Sequence, residues 1–504
     1  MMEKSIIIIG GGIAGLSAGC YGQMNGYRTS IFELHDKPGG VCTAWKRKGY
    51  TIDGCLHWLV GTNPANNFYH IWEELGALPG PTIVDHDRFQ SVEGKGGKVF
   101  TVYSDIDRLE QHMKELAPED KKVIEEFIKS ARDCRRMEMP VDKAPELYGP
   151  IDGLRLMFKM MPFLRLGRKW SKTSTLDFSR RFKNPFMRQA FSTAFGGDFI
   201  DDFPLLFMFM TLAWLDQKTA GYIIGGSLEF ARTIERRYLA LGGEISYKSP
   251  VAKILVENDR AVGVRLSNGR EHRGDIVVSA ADGHATIFDM LGGKYLDDKI
   301  RGYYHKPHLF PPLVYVGLGV KRSFADVPSS VAGISYPLDK PITVAGKKHR
   351  RLGVHIYNFD PTMAPKGKTA LKVQFNTAYD YWKKLSRDPK RYKAEKEQIA
   401  AQVVAALDQR FPGLAAQVEM RDVATPITWE RITGNWRGSY EGWLPTPGSF
   451  MQQISKTLPG LDNFYMTGQW VEPGGGLPAA AMSGRNVTQI ICKKDKKKFV
   501  TTTP

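Results

Sequence analysis

The chain has 504 residues, of which 42% are hydrophobic, 24% charged and 11% aromatic. These proportions are ordinary for soluble globular proteins and exclude a disordered, collagen-like or coiled-coil chain. The formal net charge of +17 predicts an anionic partner, which is nucleic acid, a membrane surface or an acidic substrate.

Five cysteines are scattered along the chain without a C-x-x-C pair. This pattern argues against a disulfide framework or a zinc site and favours a reducing compartment. The longest apolar stretch, residues 205–215, is far shorter than the roughly 20 residues of a membrane-spanning helix. The apolar run 6–9 is too short for the core of a signal peptide. No residues have metal-ligand spacing, so we expect no metal site.

Residues 5–33 predict a βαβ unit. Ser5–Ile9 is an apolar, β-branched run, typical of a strand that is buried on both faces of a parallel sheet. A glycine-rich turn follows, and after it a helix over 16–24 and a second strand over 28–33. This order of elements is that of a dinucleotide-binding fold.

The turn has the sequence G-x-G-x-x-G at Gly10, Gly12 and Gly15. Gly10 permits the tight turn, Gly12 lets a pyrophosphate approach the backbone, and Gly15 lets the helix pack against the strand. The phosphates are expected at the helix N-terminus, beside Ala14. Glu33 ends the second strand, where a carboxylate accepts hydrogen bonds from an adenosine ribose.

A second glycine-rich turn follows Glu33 and distinguishes a flavin from a nicotinamide. At Gly39, Gly40 and Thr43 the chain resembles the flavoprotein family that includes amine oxidases, bacterial phytoene desaturases, carotenoid isomerases and retinol saturase. In that family a Gly-Gly-x-x-x-Thr turn continues from the ribose-binding acid and runs beside the flavin. The resemblance implies FAD as the cofactor. FAD is expected to be non-covalent, because no His or Cys carries a recognisable flavin-linkage signature.

The middle of the chain agrees with this resemblance. Asn-Asp and Asn-Gly pairs at 258–259 and 268–269 predict hairpin turns between strands. By resemblance, the strand 275–280 returns to the dinucleotide-binding sheet, and Val251 touches the adenine side of FAD. The predicted elements are a helix over 226–240 and strands over 244–247, Val251–Glu257, 261–266 and 275–280.

Near the C-terminus, residues 463–468 predict a strand, and a glycine turn over 474–476 opens a helix. Free N–H groups at such a helix N-terminus stabilise negative charge on the N1 and O2 edge of a reduced flavin. Phytoene desaturases and their relatives end in a similar turn and helix. The resemblance therefore assigns to the cofactor site Gly468, Gly476, Leu477 and Pro478.

We expect an α/β fold in which a Rossmann-like FAD-binding domain is discontinuous. Its pieces are residues 1–84, 225–292 and 456–492. Residues 85–224 and 293–455 form an α+β substrate- and membrane-facing lobe, in which Leu313–Val320 and 371–376 predict strands and 391–411 predicts a helix. Residues 493–504 form a basic tail.

Residues 151–191 carry ten Lys or Arg against two Asp. Leucine, methionine, phenylalanine and tryptophan are interleaved with these cations, a pattern suited to lying in a lipid headgroup region. The basic run 493–498 adds attraction to anionic lipid. A buried helix with a solvated cationic face is the structural alternative. Since no nucleic-acid-binding motif is present, we expect a peripheral membrane partner and no nucleic acid.

The resemblance implies an FAD-dependent oxidoreductase that acts on a polyene or isoprenoid lipid, by desaturation, saturation or cis–trans isomerisation of carbon–carbon double bonds. We expect a cytoplasmic, peripherally membrane-associated enzyme. An amine oxidase-type flavoenzyme is the first alternative. A non-catalytic lipid-binding protein is the second, because Rab escort and dissociation-inhibitor proteins share this architecture. The sequence leaves the substrate, the electron acceptor and the oligomeric state open.

His57 is the one catalytic candidate. It lies in a segment that passes next to the flavin ring in relatives, where an imidazole can donate or accept a proton. A structural histidine is the alternative. By the same resemblance, we expect aromatic side chains to shape the substrate pocket, and these are Trp58, Trp436 and Tyr440.

Overall fold

The computed structural model describes residues 4–196, 203–305, 307–447 and 454–504. The strands within these ranges, in chain order, are β1 (Ser5–Ile9), β2 (Arg28–Phe32), β3 (Ala44–Arg47), β4 (Tyr50–Asp53), β5 (Leu59–Val60), β6 (Ile83–Val84), β7 (Arg88–Glu93), β8 (Val99–Tyr103), β9 (Ala220–Ile223), β10 (Glu244–Ser246), β11 (Val251–Glu257), β12 (Arg260–Leu266), β13 (Glu271–Arg273), β14 (Ile276–Ser279), β15 (Leu313–Val320), β16 (Ile334–Val344), β17 (Lys347–Ile356), β18 (Thr369–Asn376), β19 (Val418–Ala424) and β20 (Phe464–Met466).

The α-helices of the same ranges are α1 (Ile13–Met24), α2 (Phe68–Glu74), α3 (Ile106–Leu116), α4 (Lys121–Cys134), α5 (Pro150–Lys159), α6 (Met161–Trp170), α7 (Thr175–Ser179), α8 (Pro185–Phe195), α9 (Leu205–Asp216), α10 (Gly226–Ala240), α11 (Asp298–His305), α12 (Tyr379–Leu385), α13 (Pro389–Arg410), α14 (Pro426–Thr433) and α15 (Leu477–Lys494). None of the described helices combines the length and the apolar composition that crossing a bilayer requires.

A five-stranded parallel sheet positions the site, in the order β10-β2-β1-β14-β20. Its central strand β1 is a run of isoleucines that are buried on both faces, as the sequence predicts. The helix α1 connects β1 to β2, which is the crossover that parallel neighbours require. The strands come from three separated parts of the chain. The predicted α/β fold class is confirmed, whereas the domain boundaries stay a prediction.

The helices α1 and α15 follow β1 and β20 and pack against each other. A Cβ on Gly484 would lie 2.4 Å from the backbone oxygen of Ala14, so this crossing requires glycine. Nearby, the Ser17 hydroxyl donates to the backbone oxygen of Ala481 at 2.7 Å. Because both helices follow parallel strands, both begin at the carboxyl edge of the sheet.

The second layer is a mixed seven-stranded sheet in the order β19-β15-β18-β17-β16-β7-β8. Its pairs are antiparallel except β16 with β7. The long helix α13 packs on one face, where valine and leucine side chains of β15, β17 and β18 are fully buried. This sheet is the α+β lobe that the sequence predicts.

A short hairpin, β3–β4, lies between the second glycine turn and His57. The sequence analysis did not predict it. Its register pairs Ala44 with Asp53 and Arg47 with Tyr50. All four residues of β4 are buried, and the hairpin packs against β18 of the second sheet and against α10.

The basic region 151–191 forms the helices α5, α6, α7 and part of α8. Leu154 and Phe158 on α5 are 55% and 65% exposed, and no residue of α5 is buried. In contrast, Leu166 and Trp170 on α6 are buried. The structural alternative, a buried face with solvated cations, therefore describes α6 and does not describe α5.

The basic tail folds back onto the chain. The Lys497 Nζ lies 4.2 Å from the centre of the Tyr27 ring, and the backbone N–H of Val500 donates to the Asn25 side chain at 2.8 Å. These contacts fix the tail against the turn between α1 and β2. Its lysines nevertheless stay exposed to solvent.

Candidate active site

The three glycine-rich segments meet at one cavity of about 570 Å³. The cavity runs along the carboxyl edge of the parallel sheet, which is where ligands bind in open α/β sheets. We call six of the glycines that line it the glycine cradle. They are Gly10, Gly12, Gly39, Gly40, Gly468 and Gly476.

The first segment brings the backbone of a glycine turn to the cavity. Gly10 has a φ of +97°, a conformation that favours glycine. Gly12 is the N-cap of α1, and neither a capping side chain nor an acidic residue occupies the first turn of this helix. Ala14 also lines the cavity. The N-terminal N–H groups of α1 are therefore placed to meet an anion.

Gly15 has a packing role and does not line the cavity. A Cβ at this position would lie 2.0 Å from the backbone oxygen of Gly10. The close approach of helix to strand explains why the third glycine of the motif is needed.

The second glycine turn lies directly on the first. The backbone N–H of Gly39 donates to the Gly11 oxygen at 2.9 Å, and a Cβ on Gly40 would lie 3.2 Å from the Cα of Gly12. Thr43 is buried, and its carbonyl accepts a hydrogen bond from Gly54. It stands behind the cavity wall.

Glu33 lies at the cavity beside Val251. Its carboxylate accepts hydrogen bonds from the backbone N–H groups of Gly11, at 2.6 Å, and His35, at 2.7 Å. Burial raises the pKa of Glu33, although these two hydrogen bonds oppose the shift. The carboxylate therefore holds the first glycine turn in place, and its contact with a ribose stays a prediction.

The third segment supplies a second helix N-terminus. Gly468 and Gly476 have φ values of +95° and +85°, and α15 begins at Leu477 without a capping side chain or an acidic residue in its first turn. Leu477 lines the cavity, whereas Pro478 lies in the first turn outside the lining. Ser483 accepts a hydrogen bond from Gly468 at 2.9 Å and so ties this helix to the turn after β20.

His57 lines the cavity next to a buried lysine that the sequence analysis missed. Lys372 on β18 is 1% exposed, and its Nζ lies 3.0 Å from His57 Nε2. Burial, then Lys372, and then the stacked ring of His355 hold the pKa of His57 well below its usual value. Burial also lowers the pKa of Lys372 to about 8, although Asp53 opposes the shift. The imidazole is therefore neutral, and its Nε2 accepts a hydrogen bond from the ammonium group.

Asp53 organises the loop that carries His57. Its carboxylate accepts hydrogen bonds from the backbone N–H of Cys55 at 2.9 Å, from the Ser227 hydroxyl at 2.6 Å and from the Ser227 N–H at 2.6 Å. Ser227 lies at the start of α10. The carboxylate therefore joins this loop to the helix from the middle part of the chain.

Glu441 is a second residue that sequence reasoning missed. It lines the cavity beside Gly476, whose backbone N–H donates to it, and a Cβ on Gly475 would lie 2.1 Å from its Cγ. Burial raises the pKa of Glu441 to about 7. No local sequence motif marks this carboxylate as a cavity residue. Its one signal in the sequence is its position directly after Tyr440.

Of the three aromatic residues that the sequence predicts in the pocket, two line the cavity and one does not. Trp58 and Tyr440 line the cavity. Trp436 is outside the lining, since its ring stacks on His284 at 4.7 Å and its backbone N–H donates to Asp282 at 2.8 Å. Asp282 itself lines the cavity, and burial raises its pKa to about 7.

The donors and shape of this site fit FAD. Two uncapped helix N-termini can bind an anion. The glycine cradle leaves space where Cβ atoms would otherwise lie, and the walls of the cavity are mostly apolar. Among the described residues, His, Cys, Asp and Glu side chains form no group of three or more that could hold a metal ion. The two helix N-termini and the glycine cradle suit an organic cofactor with a phosphate portion.

Comparisons with known proteins agree with this geometry. A family model described as flavin containing amine oxidoreductase matches residues 13–492. The chloroplastic prolycopene isomerase of Arabidopsis thaliana is 25% identical over 509 residues, which cover 95% of this chain and 81% of the relative. The lycopene-forming phytoene desaturase of Paracoccus sp. is 24% identical, with 97% of both chains covered.

Solved structures share the fold. An oxidoreductase from Methanosarcina mazei has a TM-score of 0.60 at 16% identity, covering 96% of this chain and 100% of its own. A redesigned putrescine oxidase has a TM-score of 0.62 at 14% identity, covering 98% of this chain and 99% of its own. At such identities the likeness concerns the arrangement of the backbone.

The different roles of Gly12 and Gly15 can be tested by one methyl group at each. Gly12 has a φ of −69°, and the nearest protein atom to a Cβ there is 3.8 Å away. We expect Gly12→Ala to fold normally and to bind FAD at least about tenfold more weakly, because the methyl group occupies the cradle. Gly15→Ala is expected to lower the melting temperature or prevent folding. The ratio of FAD to protein and thermal unfolding by circular dichroism measure both. A Gly12→Ala variant with full FAD content would contradict this assignment.

The raised pKa of Glu441 predicts a pH dependence of stability. The folded chain binds this proton more tightly than the unfolded chain does, so the free energy of unfolding falls as pH rises from about 4.5 to 7. Across this range the ionisation of Glu441 lowers the free energy of unfolding by up to about 3 kcal/mol, and we expect Glu441→Gln not to show this decrease. Denaturant unfolding across the same pH range measures it. Glu257→Gln, on the surface, is the control for the loss of one carboxyl group. Equal pH slopes for the wild type and Glu441→Gln would refute the prediction.

Proposed function

The chain belongs to the flavin containing amine oxidoreductase family and is an FAD-dependent oxidoreductase, and we propose that it acts on a polyene or isoprenoid lipid at a membrane surface. The predicted family, cofactor and enzyme class are confirmed, and the non-catalytic alternative is not retained. When bound, FAD supplies two-electron redox chemistry. Non-covalent attachment is part of the proposal.

One observation carries the substrate class. The described lining of the cavity also includes a set of apolar and aromatic residues that we call the apolar end. Such a surface fits a hydrocarbon. The residues of the apolar end are Trp58, Phe89, Ala194, Phe195, Phe203 and Met208.

The surface close to the apolar end supports access from a membrane. Met208 lies on α9, which packs against α6. Of nine large hydrophobic side chains that are exposed in the described part of the chain, five lie on α5 and α6. They are Ile151, Leu154, Met157, Phe158 and Leu164, with exposures from 45% to 70%.

Positive charge accompanies these apolar side chains. Lys159 and Lys169 form ion pairs with Glu138 and Glu126. Arg155 and Arg168 have no such partner within the described ranges. Exposed apolar groups beside unpaired cations are the composition that binds an anionic lipid surface. A hydrocarbon substrate dissolved in that surface could then enter the cavity without crossing water.

The relatives support the same substrate class. Two of them are named for prolycopene isomerisation and for phytoene desaturation, and both match nearly the whole of this chain. At about 25% identity they favour chemistry at carbon–carbon double bonds. They do not decide among desaturation, saturation and isomerisation.

The residues of the chain have distinct tasks in this proposal. The N-terminal N–H groups of α1 and α15 bind and stabilise the negative parts of the cofactor. Glu441 holds or releases a proton on its carboxyl group near neutral pH. Neutral His57, held by Lys372, faces the same cavity as a proton acceptor or donor. The aromatic rings Trp58 and Tyr440 exclude water from the substrate.

Anaerobic spectroscopy tests the substrate class. FAD-loaded protein is mixed in anionic liposomes with phytoene, with prolycopene or with putrescine, and the visible band of the flavin and the extracted polyenes are followed. We expect phytoene to bleach the flavin, or pre-reduced protein to isomerise or saturate a polyene. Bleaching by putrescine with no change in any polyene would establish the amine oxidase alternative.

Sedimentation with liposomes tests the membrane surface. The double variant Leu154→Asp, Phe158→Asp is expected to bind anionic liposomes at least about tenfold more weakly, because each buried side chain of this size contributes about 1.5–3 kcal/mol. Leu239→Asp is the matched control, since Leu239 is 46% exposed on α10. If the double variant and the control sediment as the wild type does, α5 is not the membrane surface.

A further inference from the structure

Two cysteines share one wall of the cavity, and the proposed function uses neither. Cys42 follows the second glycine turn, Cys55 follows β4, and both line the cavity. The hairpin β3–β4 connects them. Its register pairs Ala44 with Asp53, and the backbone N–H of Gly54 donates to the Thr43 oxygen at 2.9 Å. Cys42 and Cys55 are therefore opposite each other one position further along.

This position suits a covalent bond between the two sulfurs. Residues that flank a hydrogen-bonded pair in an antiparallel ladder have Cα atoms about 4.5 Å apart, and disulfides span about 4.4–6.8 Å. The Cys55 side chain is close enough to Cys42 to be the largest influence on the pKa of its thiol. Cys42 also donates to the Ser227 oxygen at 3.3 Å, which keeps its sulfur at the junction with α10.

The neighbours of the two sulfurs give them different properties. The neighbouring Cys55 thiol, followed by burial, raises the pKa of the Cys42 thiol well above its usual value, so Cys42 stays protonated. Cys55 is only partly buried and interacts electrostatically with the Lys372 ammonium. A nearby cation and partial exposure are typical of reactive cysteines. Cys55 is therefore the sulfur that reacts first.

The loop is held in place before any bond forms. Asp53 accepts hydrogen bonds from the backbone N–H groups of Cys55 and Leu56, at 2.9 and 3.1 Å, and from Ser227. Closing the disulfide therefore orders little additional backbone. The other three cysteines, Cys20, Cys134 and Cys492, are buried elsewhere in the chain.

We propose that Cys42 and Cys55 form a reversible dithiol–disulfide centre on the wall of the flavin cavity, oxidised by a peroxide and reduced by a dithiol. The Cys55 sulfur attacks a peroxide oxygen, the O–O bond breaks, and a sulfenic acid and one water form. The Cys42 sulfur then displaces the sulfenic oxygen, so that the S–S bond forms and a second water leaves. Both thiol protons end in water, two thiols lose two electrons, and hydrogen peroxide gains them.

Thiol counting and peptide mapping of the FAD-loaded wild-type protein test this directly. After hydrogen peroxide treatment, we expect the free thiols to fall from five to three, and dithiothreitol to restore them. Trypsin cleaves after Lys46, Arg47 and Lys48, which lie between the two cysteines. A non-reducing map should therefore show two joined peptides that separate on reduction.

Variants identify the order of reaction. In Cys42→Ser, oxidation should stop at a Cys55 sulfenic acid that dimedone traps, and in Cys55→Ser neither product should form. Cys134→Ser keeps the pair and is the matched control, with the same loss of two thiols as the wild type. Five persisting thiols in the oxidised wild type, or a disulfide that includes any other cysteine, would overturn the proposal. This result is read from the wild-type map, so it stands even if a variant fails to fold.

Discussion

Close approach of backbone to backbone is the constraint on which this structure depends. The first glycine turn lies on the second, and α15 crosses α1 where Gly484 meets Ala14. A side chain at Gly484 would push apart two helices that are distant in the sequence. Because they stay close, two uncapped helix N-termini face one cavity. The positive ends of two helices and a set of free N–H groups are thereby concentrated where an anionic cofactor needs them.

Around this cradle, buried polar groups form one connected network. Asp53 joins Ser227 on α10 to the loop of Cys55 and His57, and Lys372 reaches the same loop from the second sheet. Buried charges are tolerated only when they are hydrogen-bonded, since removal from water is costly. The network therefore fixes the position of the loop, and its charges adjust the protonation of the cavity. Lys372 in this network helps to keep the His57 imidazole neutral, whereas burial separately raises the pKa of Glu441 to about 7.

The helices α5 and α6, which we propose face lipid, are under a different physical constraint. The helices α5 and α6 share one basic and apolar composition, but α6 buries Leu166 and Trp170 against its neighbours while α5 leaves its hydrophobic residues exposed. Exposed apolar groups cost free energy in water unless another surface covers them. The apolar end of the cavity lies one helix away, at Met208 on α9. The proposed lipid-binding surface and the proposed substrate cavity are thus parts of one lobe.

The sequence by itself determined the βαβ unit, the glycine turns and the approximate bounds of the five strands of the parallel sheet, because these depend on local patterns. A run of isoleucines, a fixed glycine spacing and an acid at a strand end are visible within a few residues. Even there the helix α1 begins at Ile13, three residues before the predicted start, since Gly12 already caps it. Only the tertiary structure decided which distant side chains share the cavity. Lys372, Glu441 and Asp282 come from three separate elements and carry no local signal, and Trp436 turns to His284 despite its sequence neighbourhood. Side-chain chemistry of this kind depends on packing and burial, which arise when sheets and helices meet and are not encoded in any short stretch of residues.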